Sequence, residues 1–212
     1  MKKYVIIYSL IGVFMTSFTS KKITWQKAYE HQSTTIYTRT TESGIKEFKA
    51  ITIINTNIKQ VLAVMHDYEA HPDWMRAIDK CQLVEQATSK TRYLYYTIDM
   101  PWPLWDRDLV SKSTFYPKEN GSVLMKMEAA STKKSKSKNH VRMKSAKGYW
   151  LVKSISKSKT KVTYQYKADP NGIPVTLVNM FLLEAPKASF EGLKTQVKLS
   201  KYKNPDLAWL YE

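Results

Sequence analysis

The spacing of apolar positions changes along the chain, and each change predicts a different element. "ITWQKAYEHQ", Ile23–Gln32, has the spacing of a short amphipathic helix. "TTIYTRT" and "EFKAITII" then alternate or run apolar with β-branched residues on either side of "ESG", which predicts a hairpin. In "NIKQVLAVMHDYEAHPDWM" the apolar residues Ile58, Val61, Leu62 and Met65 follow i, i+3, i+4, i+7, which marks one face of a helix. Asn57 is placed to cap it, and Pro72 to stop or restart it.

From Cys81 onward the period is that of strands. The predicted strands are Cys81–Glu85, Arg92–Asp99, Asp108–Tyr116, Val123–Ala129, His140–Ser145, Tyr149–Ser154 and Val162–Ala168. In "VLMKMEA" Val123, Met125, Met127 and Ala129 share one face, and in "VTYQYKA" Val162, Tyr164, Tyr166 and Ala168 do the same. This is the one-face-buried pattern of an antiparallel sheet. "DPNG", Asp169–Gly172, is a turn, and Pro174 suits the first turn of a helix. "VTLVNMFLLEAPKASFEGLKTQVKLSKY" completes the chain as one long helix kinked at Pro186.

That order has a consequence. A sheet of six or more strands with one apolar face must cover that face, and one long helix remains to do so. A curved sheet gripping a single helix leaves an enclosed hollow unless very large side chains fill it, and such hollows take apolar ligands.

The first twenty residues read differently. "MKK" is basic, "YVIIYSLIGVFM" apolar and "TSFTS" small and polar, the three parts of a secretory signal peptide. The organisation expected is a signal at 1–20, one domain at 21–204 and a tail at 205–212, exported to a periplasmic or extracellular space. An uncleaved membrane-anchoring helix is the alternative for the leader. Cys81 is the only cysteine, so an intramolecular disulfide and a cysteine zinc site are excluded. The formal charge is +16, and thirteen Lys/Arg against one acid, Glu128, fall between Ser122 and Ala168. Their knot is "TKKSKSKNH", which reads as a flexible loop tip.

Catalytic and metal motifs are thin. "HDYEAH" holds His66, Asp67, Glu69 and His71, but two histidines five residues apart do not share a helical face, and no metal is expected. No Ser-His-Asp set, HExxH or glycine-rich phosphate loop is readable, and no cofactor is expected.

"YYTIDMPWPLWDRDLV", followed by "VRMKSAKGYWLV", "TKVTYQYKADPNGIPVTLVN" and "LEAPKASFEGLK", resembles the START (steroidogenic acute regulatory protein-related lipid transfer) family. That family pairs a Pro-aromatic-Pro segment with an Arg-Asp pair opening a strand, and a late Asp-Pro-x-Gly-x-Ile-Pro turn into its last helix. "ITWQKAYEHQSTTIYTRT" and "VMHDYEAHPDWM" also fit it, so the likeness spans about Ile23 to Ser200. It implies an α+β helix-grip (START/Bet v 1-like) fold, with a curved antiparallel sheet around a long C-terminal helix and an internal tunnel. It also implies a lipid or sterol-like ligand, carried or sensed, with the last helix as lid. An enzyme of cyclase or hydrolase type using the same hollow is the alternative.

Within that frame Met125, Met127, Met143, Tyr164 and Tyr166 are the expected sheet-side wall. Val178, Phe181 and Leu182 are the expected helix-side wall. Arg107 and Asp108 are a structural ion pair or backbone anchor holding the Pro-rich segment, or else a polar anchor for the ligand inside the tunnel, into which strand alternation points only one of them. Trp102 and the unusual Trp105 read as core, tunnel wall or membrane-interface anchors, with core or wall favoured. Lys133, Lys134, Lys136 and Lys138 read as a solvated loop, as a docking patch for an anionic membrane or, last, as a nucleic-acid contact. A monomer that binds no nucleic acid is the expectation.

Overall fold

The computed structural model describes residues 24–212. The expected signal segment, 1–20, therefore lies outside the described residues. Ten strands build one sheet: β1 (Gln26–His31), β2 (Thr34–Thr40), β3 (Lys46–Ile54), β4 (Ile78–Thr88), β5 (Thr91–Ile98), β6 (Arg107–Pro117), β7 (Val123–Ala129), β8 (Val141–Arg142), β9 (Ser145–Ser156) and β10 (Lys159–Asp169). The order is β1-β2-β3-β10-β9-β7-β6-β5-β4, with β8 lying parallel beside the start of β6 and every other pair antiparallel.

The hairpin and most of the predicted strands fall where the alternation places them, and several are longer than predicted. His140–Ser145 is the exception. Val141 and Arg142 pair with Arg107 and Asp108, and Ser145 already belongs to β9. The leading segment differs too. Gln26–His31 is an edge strand, paired with β2 through a two-residue turn in which Gln32 takes φ 50°. Its one helix-like face had no partner to bury it, whereas β2 offered an open ladder of backbone donors and acceptors, and the ladder prevails over weak local preference.

Register decides which side chains face the core. Trp150 stands opposite Met125 and Tyr164, and Tyr164 opposite Ala50, so these residues share the concave face. Asp108 stands opposite Thr97 and Lys112 opposite Glu128, on the convex face. A one-residue slip would exchange the two sets.

Of four helices, α1 (Ile58–His66), α2 (His71–Trp74) and α4 (Glu184–Gln196) lie on the concave side, and α3 (Val175–Met180) sits at the β2–β3 turn, where Asn179 bonds Gly44 and Lys46. Asn57 caps α1, its Oδ1 accepting from the Gln60 amide at 3.1 Å. Pro72 sits in the first turn of α2, where a missing N–H costs nothing. The single kinked terminal helix is in fact two helices broken at Phe181–Leu183. Pro186 does not kink α4, because it stands in the first turn, whose amides have no intrahelical acceptor. Phe190 and Leu193 on α4 are fully buried against Trp74, Trp150 and Val61 in the main core.

Residues 205–212 are not a free tail. Leu207 and Leu210 are buried in the main core. Trp209 stacks on His66 at 3.7 Å and meets Phe115 edge-on at 4.9 Å. Just before them, the Tyr202 hydroxyl donates to Asp67 at 2.7 Å and Lys201 pairs with the same carboxylate at 2.9 Å.

Candidate functional site

The concave side holds two apolar clusters. The larger lies under α1 and α4, with Trp150, Phe190 and Leu193 completely buried. The smaller joins Cys81, Leu94, Tyr96, Leu109, Met143 and Ala146 near the β4–β6 edge. Between them is a cavity of about 210 Å³. Ile78, Ile98, Leu109 and Met143 wall it on one side, and Met127, Tyr164 and Tyr166 on the other. Ala185 and Ser189, one helical turn apart on α4, close it from above, and the Met75–Ala77 loop forms part of its rim. Ala77 there holds φ 64°, a left-handed conformation that L-residues adopt under constraint.

The hollow is shorter than sheet geometry alone would leave. Trp150 stacks on Tyr164 at 3.8 Å, and Trp74 and Phe190 meet Trp150 edge-on at 5.8 and 5.9 Å. Large aromatic side chains fill the centre of the grip, and the open space survives at one end.

The candidates divide accordingly. Met127, Met143, Tyr164 and Tyr166 line the cavity. Met125 packs in the solid core beside Trp150. Leu182 leans on that core, Val178 is half-buried and Phe181 is 48% exposed, and none of the three is in the cavity lining. Tyr96, Ile98, Leu109, Ser111, Ala185 and Ser189 also line the cavity, although the sequence reading did not name them. Inward parity on β5 and β6, and the i, i+4 pair of small residues on α4, were the signals that marked them.

Asp108 faces the convex side and touches no cavity. Arg142 binds it through Nε–Oδ1 at 2.6 Å and Nη2–Oδ2 at 3.0 Å, and the Tyr95 hydroxyl donates to Oδ2 at 3.1 Å. Burial alone would raise the carboxyl pKa. The Arg142 guanidinium overrides it and holds Asp108 below the usual carboxylate range. Arg107 points to the end of the sheet. It donates to the carbonyls of Pro170 at 2.8 Å, Asn171 at 2.9 Å and Trp105, tying the Pro101–Asp106 loop to the turn before α3. The two charges do not pair with each other: Asp108 is bound to Arg142, and Arg107 is the backbone anchor of the Pro-rich loop. The tunnel-anchor role does not fit their positions.

Trp102 is 92% exposed and Trp105 69%, so neither forms core or wall. Val175, Met180 and Phe181 on and after α3 are exposed as well. The lysine knot is bonded to the sheet through Arg142. Arg142 donates to the carbonyls of Ser131, Lys134 and Ser135 at 3.1–3.2 Å, which draws the loop onto the convex face. Lys133 pairs with Glu85 at 2.8 Å and lies over the Tyr93 ring, and Lys134 lies over Tyr95. Lys136 and Lys138 are exposed and form no ion pair among the described residues.

The histidines of "HDYEAH" are held apart. His71 is buried, its Nδ1 3.1 Å from the Tyr96 hydroxyl and its Nε2 3.2 Å from the Met65 carbonyl, and burial pushes it down to about 4. Burial, aided by Arg92, also pushes His66 down to about 4. Burial raises the Cys81 thiol to about 12, which makes it a packing group and not a nucleophile at neutral pH. Among the described residues no group of three or more His, Cys, Asp or Glu is placed to hold a metal.

A family description covers this arrangement. The START domain matches residues 9–203. The chain belongs to the START domain family. An uncharacterized protein of Pseudomonas aeruginosa is 28% identical over 173 residues, 81% of this chain and 85% of that one. The structure of a STAR-related lipid transfer protein fragment from Xanthomonas axonopodis superposes with a TM-score of 0.77 at 28% identity, over 82% of this chain and 99% of that one. Human StAR-related lipid transfer protein 5 shares the fold, with a TM-score of 0.75 at 14% identity over 84% and 88% of the two chains. A Streptomyces aromatase/cyclase shares it more distantly, with a TM-score of 0.50 at 9% identity over 71% and 90%. The START domain and its lipid-transfer neighbours support binding of a lipid or other hydrophobic ligand in general.

Proposed function

We propose that this START protein binds one hydrophobic small molecule in the cavity between its two apolar clusters and carries or senses it in an extracytoplasmic compartment. The observation that carries this reading is the lining: methionine, leucine, isoleucine and tyrosine side chains around about 210 Å³ of space, in a fold shared with lipid transfer proteins. The driving force is desolvation, about 25 cal/mol per Å² of apolar surface removed from water. The space is below the roughly 300–1,000 Å³ of typical ligand pockets. A longer lipid therefore requires α4 and the Met75–Ala77 rim to move apart. Monomer is the state proposed for this carrier.

Docking follows from the surface beside it. Trp102, Trp105, Met180 and Phe181 expose aromatic and apolar area. Arg107 fixes the tryptophan loop to the turn that leads into α3. Indole rings of this kind suit the headgroup level of a bilayer. Lys136 and Lys138 add attraction to anionic lipid, about 1 kcal/mol for each lysine near the surface.

The test is transfer of a fluorescent lipid between phosphatidylglycerol-containing vesicles. Wild type accelerates it, Ala185→Trp abolishes it by filling the cavity, and Trp102→Ala/Trp105→Ala slows it while leaving the melting temperature unchanged. Equal transfer by all three proteins contradicts the reading. The alternative, a cyclase- or hydrolase-type enzyme, draws on one observation: the Tyr96 hydroxyl at the wall is bonded to buried His71. Turnover of activated esters or polyketide mimics that is lost in Tyr96→Phe supports that alternative.

A further inference from the structure

The hydroxyl groups of the cavity identify the kind of guest it takes, an inference that rests on the cavity being a ligand site. Ser111, Tyr164 and Ser189 line it and are 5%, 5% and 3% exposed, and Tyr166 lines it beside them. Among the described residues, none of these four hydroxyls has a hydrogen-bond partner in the protein. The enclosed side-chain polar atoms that lack a partner are others, Trp74 Nε1, Arg92 Nε and Gln196 Oε1. The four hydroxyls therefore open on cavity space and are not sealed into packed protein. A buried hydroxyl left in that position favours any guest that bonds it.

Their placement has a direction. Ser111 lies two residues beyond Leu109 along β6, away from Arg107 at the open end of the sheet. Ser189 lies one helical turn beyond Ala185 on α4. Tyr164 stacks on Trp150, which Phe190 covers, so this end is the floor. Ile78, Ile98, Leu109 and Met143 lie nearer the rim. Arg76, exposed on that rim, is the only lining side chain with a full charge at neutral pH. The buried charges of Asp108 and Arg142 are bound to each other on the far side of the sheet.

We propose that the ligand is an uncharged amphiphile whose hydroxyl or carbonyl end goes in first, against Ser111, Tyr164 and Ser189, with its apolar body along Leu109 and Met143. A carboxylate or phosphate in that position would lose its water and meet no counter-charge, which a buried ion does not tolerate.

Three probes of one length separate the possibilities: 1-octanol, 1-chlorooctane, and octanoate at pH 8, each competing with the neutral dye Nile red. In wild type, 1-octanol binds at least about tenfold more tightly than octanoate. In Ser111→Ala/Ser189→Ala, and separately in Tyr164→Phe, 1-octanol weakens by about three- to tenfold, the scale of a lost hydrogen bond. Nile red and 1-chlorooctane stay within about twofold, which shows that both variants keep the cavity. Octanoate binding as tightly as 1-octanol overturns the proposal, and so does 1-octanol affinity unchanged in both variants. Wild type that binds neither Nile red nor any of the probes overturns the ligand-site reading itself.

Discussion

Asp108 is completely buried and is bound to Arg142 at 2.6 Å, beneath the loop whose carbonyls the same arginine gathers. Removing one partner of such a pair strands the other charge, at a cost of about 3–5 kcal/mol. Asp108→Ala is expected to lose that much stability in urea unfolding, and Asp108→Leu/Arg142→Met much less, because no unpaired charge remains. A second residue-scale effect concerns pH. The unfolded chain protonates His71 near pH 6.5, whereas the folded protein keeps it neutral to about 4. Stability is therefore full above pH 6.5 and falls between 6.5 and about 4, by about 3 kcal/mol for His71 at the lower end. His66 adds to the loss in the same window. Asp108, with its lowered pKa, adds a further loss only below the ordinary carboxylate range. Unfolding free energy measured from pH 8 to pH 4 is expected to be flat and then to fall, with a shallower fall in His71→Gln. A curve of equal slope in both proteins contradicts a neutral buried His71.

At the scale of elements, period-2 alternation located β2, β3 and the strands from β4 to β10 other than β8, because burial of one face leaves its mark on every second residue. The same logic failed where burial was weak. Gln26–His31 is exposed except at half-buried Tyr29, so its pattern held no information about the ladder it joins. The break between α3 and α4 was hidden for a similar reason, since the apolar residues Phe181–Leu183 at the break continue a helical spacing without being helical. Glycine spacing was silent about contact. A Cβ on Gly192 of α4 would lie 2.6 Å from the Trp74 carbonyl oxygen and 2.8 Å from its Cα, backbone atoms that cannot turn aside. Gly192→Ala is expected to force α4 off α2 and cost about 1–3 kcal/mol, read as a lower denaturant midpoint with an unchanged m-value. A neutral or stabilising result contradicts that contact.

For the whole molecule, the sequence announced an antiparallel sheet gripping a C-terminal helix, and the START family match and the fold agree on that architecture. The size of the hollow was not legible, because it depends on where Trp74, Trp150 and Phe190 stack, and alternation gives a face without a depth. Nor did composition show that the lysine loop and the exposed tryptophans lie apart, the loop over Tyr93 and Tyr95 on the convex face and Trp102 and Trp105 at the end of the sheet. The central claim is that the remaining space holds a hydrophobic guest. Native mass spectrometry of the full-length protein isolated from its own cells tests it most directly. The account predicts one uncharged lipid-like molecule per chain, displaced in Ala185→Trp. Bare protein mass in the wild type, unchanged after incubation with a host lipid extract, contradicts it.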